Sequence, residues 1–96
     1  MKSEYLKNLK DAITAMHGCD CVHISSMKVI EDYEAERVWE GDVEIFDLVS
    51  HPQATQAFAW AWEEDNEPKY IAVLNISPVN DASDAVRAAI ASGQFS

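Results

Sequence analysis

The sequence predicts an α+β domain in the order α-β-β-β-β-α, with a four-stranded antiparallel meander sheet flanked by N- and C-terminal helices. Three observations favour this fold class. Apolar residues recur at helical spacing near both ends of the chain. The middle of the chain alternates apolar and polar residues with the period of a strand. A length of 96 residues, 48% of them hydrophobic, fits a single folded domain over residues 1–96.

The first predicted element is an amphipathic helix, which begins with Ser3 as its N-cap and ends at Gly18. Its apolar stripe recurs at three- and four-residue spacing and consists of Leu6, Leu9, Ile13 and Met16. Residues 21–30 follow as a first strand, because they are rich in β-branched side chains.

Residues 38–62 form the predicted central hairpin, and the acidic side chains of its first strand are Glu40, Asp42 and Glu44. With a short loop at His51-Pro52, Ile45 lies opposite Phe58, and Gly41 leaves room for the indole of Trp62. This register puts the carboxylates on one side, facing water, and the large apolar side chains on the other. A slip of one residue would bury unpaired carboxylates at a cost of several kcal/mol.

The fourth strand covers residues 70–76, after a polar turn over residues 63–68. The last helix begins at Asn80 or Asp81 and ends at Gly93. We expect both helices to lie on one face of the sheet. That face is predicted to carry Val43, Ile45, Phe58, Trp60, Tyr70, Ala72 and Leu74.

In this arrangement the opposite face stays open. It presents small and β-branched apolar side chains, namely Ala57, Ala59, Ala61, Ile71 and Val73. An exposed apolar patch of this kind is typical of an interface, so the sequence predicts a homodimer, or another homo-oligomer, built through these five residues. The alternative is that a loop or a helix covers them.

The net charge of the chain limits the classes of partner that it is expected to bind. With 17 acidic and 7 basic residues the formal net charge is −10, which disfavours contact with nucleic acid or an anionic membrane. Twelve of the acids fall within residues 31–47 and 63–67. They either engage a basic protein partner, in imitation of nucleic-acid phosphates, or only keep the chain soluble. Without a basic, hydrophobic leader or a long apolar run, we expect a cytoplasmic protein.

The order of helix, meander and final helix resembles that of double-stranded-RNA-binding domains. The basic cluster that such domains carry at the start of the last helix is missing, because this helix opens with Asn80-Asp81-Ala82-Ser83-Asp84. We therefore do not assign that function to this chain.

A metal site is the first of three hypotheses about chemistry. Four soft donors alternate along the chain: His17, Cys19, Cys21 and His23. In an extended strand the outer two would lie roughly 20 Å apart, so they cannot meet one ion. We expect reduced, buried structural thiols, no metal and no cofactor.

The other two hypotheses concern a ligand and a reaction. Trp39, Trp60 and Trp62 could line a pocket for a flat or apolar ligand, or could simply form the core. His51 could act as a general acid or base beside Asp47 or Glu44, although no nucleophile motif accompanies it.

The leading hypothesis is therefore a small acidic binding or accessory protein, which contacts a protein partner or a small apolar ligand. The alternatives are an acidic, nucleic-acid-mimicking inhibitor of a basic protein and a small enzyme that uses His51 with a carboxylate.

Overall fold

The computed structural model describes residues 2–33 and 36–91. Its elements are α1 (Lys2–His17), β1 (Asp20–Tyr33), β2 (Glu36–Val49), β3 (Gln56–Glu64), β4 (Glu67–Leu74) and α2 (Ala82–Ala91). The strands form one antiparallel sheet in the order β1-β2-β3-β4, and both helices contact it. The predicted element order and meander are thus confirmed. Glu34, among the clustered acids, and Gly93, the predicted end of the last helix, lie outside the described residues.

In the described part of the chain, neither helix is long and apolar enough to cross a membrane.

The register between β2 and β3 is the predicted one. Ile45 pairs with Phe58, and Glu44 pairs with Ala59. Glu44 and Trp60 therefore point to opposite sides of the sheet, because neighbouring residues of a strand alternate. The paired ladder covers only residues 44–47 and 56–59. Beyond it, β2 stays paired with β1 and β3 stays paired with β4, so the sheet opens between its two central strands.

The two helices pack on opposite faces of the sheet, which corrects the prediction that both lie on one. The apolar side of α1 joins the alanine face, in a cluster of Leu9, Ile13, Cys21, Phe46, Ala57, Ala59 and Ala72. The apolar side of α2 joins the tryptophan face, where Val86 and Ala89 pack with Phe58 and Trp60. Small side chains let a helix approach the sheet closely, so α1 packs on the face that the sequence predicted to be uncovered.

The register between β3 and β4 differs from the prediction by one residue. A two-residue turn at Asp65 and Asn66, both with positive φ, joins these strands and pairs Trp60 with Ile71. Ile71 and Val73 therefore lie on the tryptophan face. Tyr70, Ala72 and Leu74, which were predicted there, join the alanine face.

This register removes the predicted interface. Ala57 and Ala59 are fully buried and Ile71 is 7% exposed, while Ala61 and Val73 are partly buried. The three alanines lie on the alanine face with α1, whereas Ile71 and Val73 pack against the α2 cluster on the other face. The five residues do not form a shared exposed patch. Self-association stays a prediction, without this surface to support it.

Candidate functional site

The opening between β2 and β3 forms a cavity of about 610 Å³, called here the tryptophan cleft. Its walls are Tyr5, Trp39, Glu40, Gly41, Asp42, Glu44, Trp60, Ala61 and Trp62. The cleft begins where the ladder between the two central strands ends. All three tryptophans that the sequence predicted as ligand-binding residues therefore line one cavity.

The indoles form the wall on the α2 side. Trp60 is 1% exposed and packs edge-on against Trp39, with ring centroids 5.6 Å apart and an interplanar angle of 61°. Gly41 allows this arrangement, because a Cβ atom at that position would lie 3.0 Å from Cη2 of Trp39. The glycine thus makes room for an indole, as predicted, but the indole is Trp39 rather than Trp62.

The opposite wall carries oxygen atoms from β2 and from α1. Tyr5 projects from α1, and the acidic side chains of Glu40, Asp42 and Glu44 lie on the same side of β2. Burial raises the pKa of the Tyr5 phenol, a backbone hydrogen bond from Ala61 lowers it, and the negative charges of Glu44 and Asp42 raise it further. The phenol is therefore a neutral hydrogen-bonding group at neutral pH.

Backbone groups also face the cleft. The hydrogen bond from the Leu48 amide to the Thr55 carbonyl, 2.9 Å long, shows which residues of β2 direct their backbone toward β3. Every second residue does so in an antiparallel strand, and Asp42 is in this set. Ala61 is the corresponding residue of β3. The Ala61 backbone donates to the Tyr5 phenol, so the backbone of β3 contributes to the cleft wall.

Glu44 is the buried carboxylate of the site, with only 1% of its surface exposed. Its Oε1 accepts hydrogen bonds from His23 Nε2, at 2.8 Å, and from Ser26 Oγ. The sequence predicted that Glu44 faces water. The reason for the difference is that α1 packs on this side of β2, where Phe46 contacts its cluster. A β-bulge between His23 and Ser25 then places both His23 and Ser26 beside the buried carboxylate. The imidazole also packs edge-on against Phe46.

This cluster does not have the order of a serine–histidine–carboxylate triad. The hydroxyl of Ser26 and the imidazole of His23 both bond to the same oxygen of Glu44. In a triad the serine hydroxyl instead bonds to the imidazole that takes its proton. The cluster therefore fixes β1 to β2 beside the cleft, and it positions the carboxylate of Glu44 in the cleft wall.

His51 lies in the turn between β2 and β3. Its Nδ1 accepts hydrogen bonds from the backbone amides of Gln53 and Ala54, at 3.1 Å and 3.0 Å. The two carboxylates proposed to assist it have other contacts, since Glu44 bonds to His23 and Asp47 bonds to Gln56. The imidazole shapes the turn, and catalysis at His51 stays a prediction without a supporting contact.

The four soft donors near the end of α1 do not converge. His17 lies 3.1 Å from the carbonyl of Ala72, Cys21 is buried, and His23 bonds to Glu44. Within residues 2–33 and 36–91, no group of three or more histidine, cysteine or acidic side chains could hold a metal ion. Burial raises the pKa of the Cys21 thiol, while Cys19 is half-buried. These described donors therefore lie in separate environments and do not surround a common point.

Comparison of the chain with models of protein families, with curated proteins and with solved structures found no match in any of the three.

Proposed function

We propose that this chain is a small-molecule-binding protein and that the tryptophan cleft is its binding site. One observation carries the proposal: three indoles from two strands line a single cavity of about 610 Å³ at the point where the sheet opens. Ligand sites have volumes of roughly 300–1,000 Å³ and combine apolar walls with a few polar groups. The cleft has both properties.

The walls of the cleft are held in place before a ligand arrives. Trp60 is buried in the α2 cluster, and Trp39 is fixed between Trp60 and the backbone of Gly41. Rigid aromatic walls lose little conformational entropy when a ligand binds, so more of the contact energy appears as affinity. A flat apolar group would pack against the indoles, and the Tyr5 phenol and the carboxylates would contact its polar part.

The test is a titration with a neutral aromatic probe, para-tert-butylphenol, followed by the indole N–H resonances of the three tryptophans. We expect saturable shifts in the native chain. Ala61→Leu fills the cleft and should abolish them, whereas Ala91→Leu adds the same bulk at an exposed position of α2 and should leave them unchanged. Far-UV circular dichroism checks that both variants fold.

Two results would contradict the proposal. The first is the absence of saturable shifts with this probe at millimolar concentration, where even a weak aromatic ligand of a preformed cleft should bind. The second is equal binding by the native chain and a folded Ala61→Leu variant. If Ala61→Leu does not fold, Trp39→Phe, which retains a ring but shortens the wall, should weaken binding.

A further inference from the structure

We infer that the ligand of the tryptophan cleft is a small organic cation with an apolar body. The inference rests on the proposed function and specifies its ligand class. Two sets of side chains meet in the cleft: three indoles on one wall and three carboxylates on the other. The nine described residues of its walls include no lysine, arginine or histidine.

The indoles supply the first contact that a cation would make. A cation over the face of an aromatic ring is attracted by the ring's quadrupole, and tryptophan gives the strongest attraction. Trp39 and Trp62 are partly buried, so their rings are screened from water on the side of the core and accessible from the cleft. The attraction is larger in such a partly desolvated site than on an open surface.

The carboxylates supply the second contact. Glu40 and Asp42 are exposed side chains of the cleft wall, and Glu44 is a buried one. The negative field of Glu44 and Asp42 acts within this wall, where it adds to the effect of burial in raising the pKa of the Tyr5 phenol on α1. An anionic ligand would be repelled by this field, and a neutral one would gain only from apolar burial.

Two described basic side chains contact these carboxylates. Lys28 lies on β1 opposite Asp42, and its ammonium group is 3.2 Å from Glu40. Both side chains of this ion pair are largely exposed, so solvent screens the pair. The imidazole of His23 lies 2.8 Å from Glu44, and the described residues of the cleft walls carry three carboxylates and no basic side chain, which favours a cation.

The experiment compares two probes of the same shape. The cation is (para-hydroxyphenyl)trimethylammonium, and its uncharged carbon isostere is para-tert-butylphenol. Both dissociation constants are measured by the indole N–H shifts of the native chain. We expect the cation to bind about tenfold more tightly, the gain of one partly desolvated cation–π contact with a nearby carboxylate. Salt should weaken binding of the cation and leave that of the isostere unchanged.

Three variants test whether the cation binds in the cleft. Asp42→Asn should weaken binding of the cation about threefold or more relative to binding of the isostere. Glu64→Gln removes the same charge from an exposed position of β3 outside the cleft walls and should change neither. Lys28→Met removes the opposing charge and should tighten binding of the cation.

The outcomes separate the two proposals. Equal affinity for both probes, or a cation preference that survives in Asp42→Asn, would overturn the inference and leave the proposed binding function in place. If neither probe binds, the proposed function fails and the inference fails with it.

Discussion

Replacement of Glu44 by alanine should be the most destabilising change near the cleft. This side chain is 1% exposed and accepts hydrogen bonds from His23 and Ser26. Hydrogen bonds to a charged acceptor contribute about 1.5–3 kcal/mol each, so the loss of two costs about 3–5 kcal/mol. We therefore expect Glu44→Ala to lower the free energy of unfolding by about 3–5 kcal/mol, a large part of the roughly 5–15 kcal/mol typical of a domain.

The assay is urea unfolding followed by far-UV circular dichroism. Glu40→Ala is the matched control, since Glu40 lies four residues earlier on the same side of β2 but is exposed and pairs with exposed Lys28. It should cost less than about 1 kcal/mol. A double-mutant cycle with His23→Ala isolates the contact between His23 and Glu44, and its coupling energy should exceed about 1 kcal/mol.

The reasoning is refuted if Glu44→Ala unfolds within about 1 kcal/mol of the native chain, or if it costs no more than Glu40→Ala. Either result would mean that the carboxylate is not buried between β1 and β2, and that the bulge does not bring His23 and Ser26 to it.

Three further predictions concern the thiols, the pH dependence and the turns. Iodoacetamide should modify Cys19 in the native chain and Cys21 only on unfolding, as followed by mass spectrometry, and equal rates would contradict the burial of Cys21. The pKa values of Cys21 and Tyr5 are raised above 9.0 and 10.0, so the unfolded chain loses these protons first and stability should fall as the pH rises through 9 and 10. A flat stability profile in this range, or an equal slope in Cys21→Ala, would be inconsistent with these shifts. Asn66→Gly should raise stability by about 0.5 kcal/mol in thermal unfolding, because Asn66 has φ of 64° and glycine adopts this region without strain. Asn75→Ala should lower stability by about 1–3 kcal/mol, because the Asn75 side chain hydrogen-bonds to residues 55 and 56. An unchanged melting temperature in either variant would count against the corresponding turn geometry.

Residue patterns predicted much of the fold because strand periodicity is a strong signal when one side is acidic. Glu40 and Asp42 alternate with apolar residues, and only one register keeps them away from Phe58 and Trp60. The observed pairing of Ile45 with Phe58 follows from that constraint. The same clustering of aromatic residues identified the three tryptophans that line the cleft.

Turns and bulges that shift the strand register by a single residue were not predictable from residue patterns. The turn at Asp65 and Asn66 sets the register of β4. The acidic residues on either side of this turn are exposed ends of strands, which tolerate charge. In the sequence they have the composition of a longer polar loop, so the two-residue turn was not recognised. The bulge between His23 and Ser25 shifts the side to which later residues of β1 point, and no local pattern marks it. Because the sequence does not reveal the bulge, it could not identify His23 and Ser26 as the partners of Glu44.

The position of α1 was missed for a different reason. Ala57 and Ala59 contribute little apolar area, so their small size favoured the prediction that no helix covers their face of the sheet. In the structure their small size is what lets Leu9 and Ile13 pack closely onto the sheet. Size complementarity between a helix and a strand becomes visible only when the two are brought together.

The most direct test of the binding site is an intermolecular nuclear Overhauser experiment on the ¹³C,¹⁵N-labelled chain with (para-hydroxyphenyl)trimethylammonium. We predict cross-peaks from the trimethylammonium protons to the indoles of Trp39 and Trp62 and to the phenol of Tyr5, together with saturable shifts that share one dissociation constant. Contacts confined to exposed apolar residues outside the cleft, such as Val22 and Met27, would contradict the assignment of the tryptophan cleft as the site.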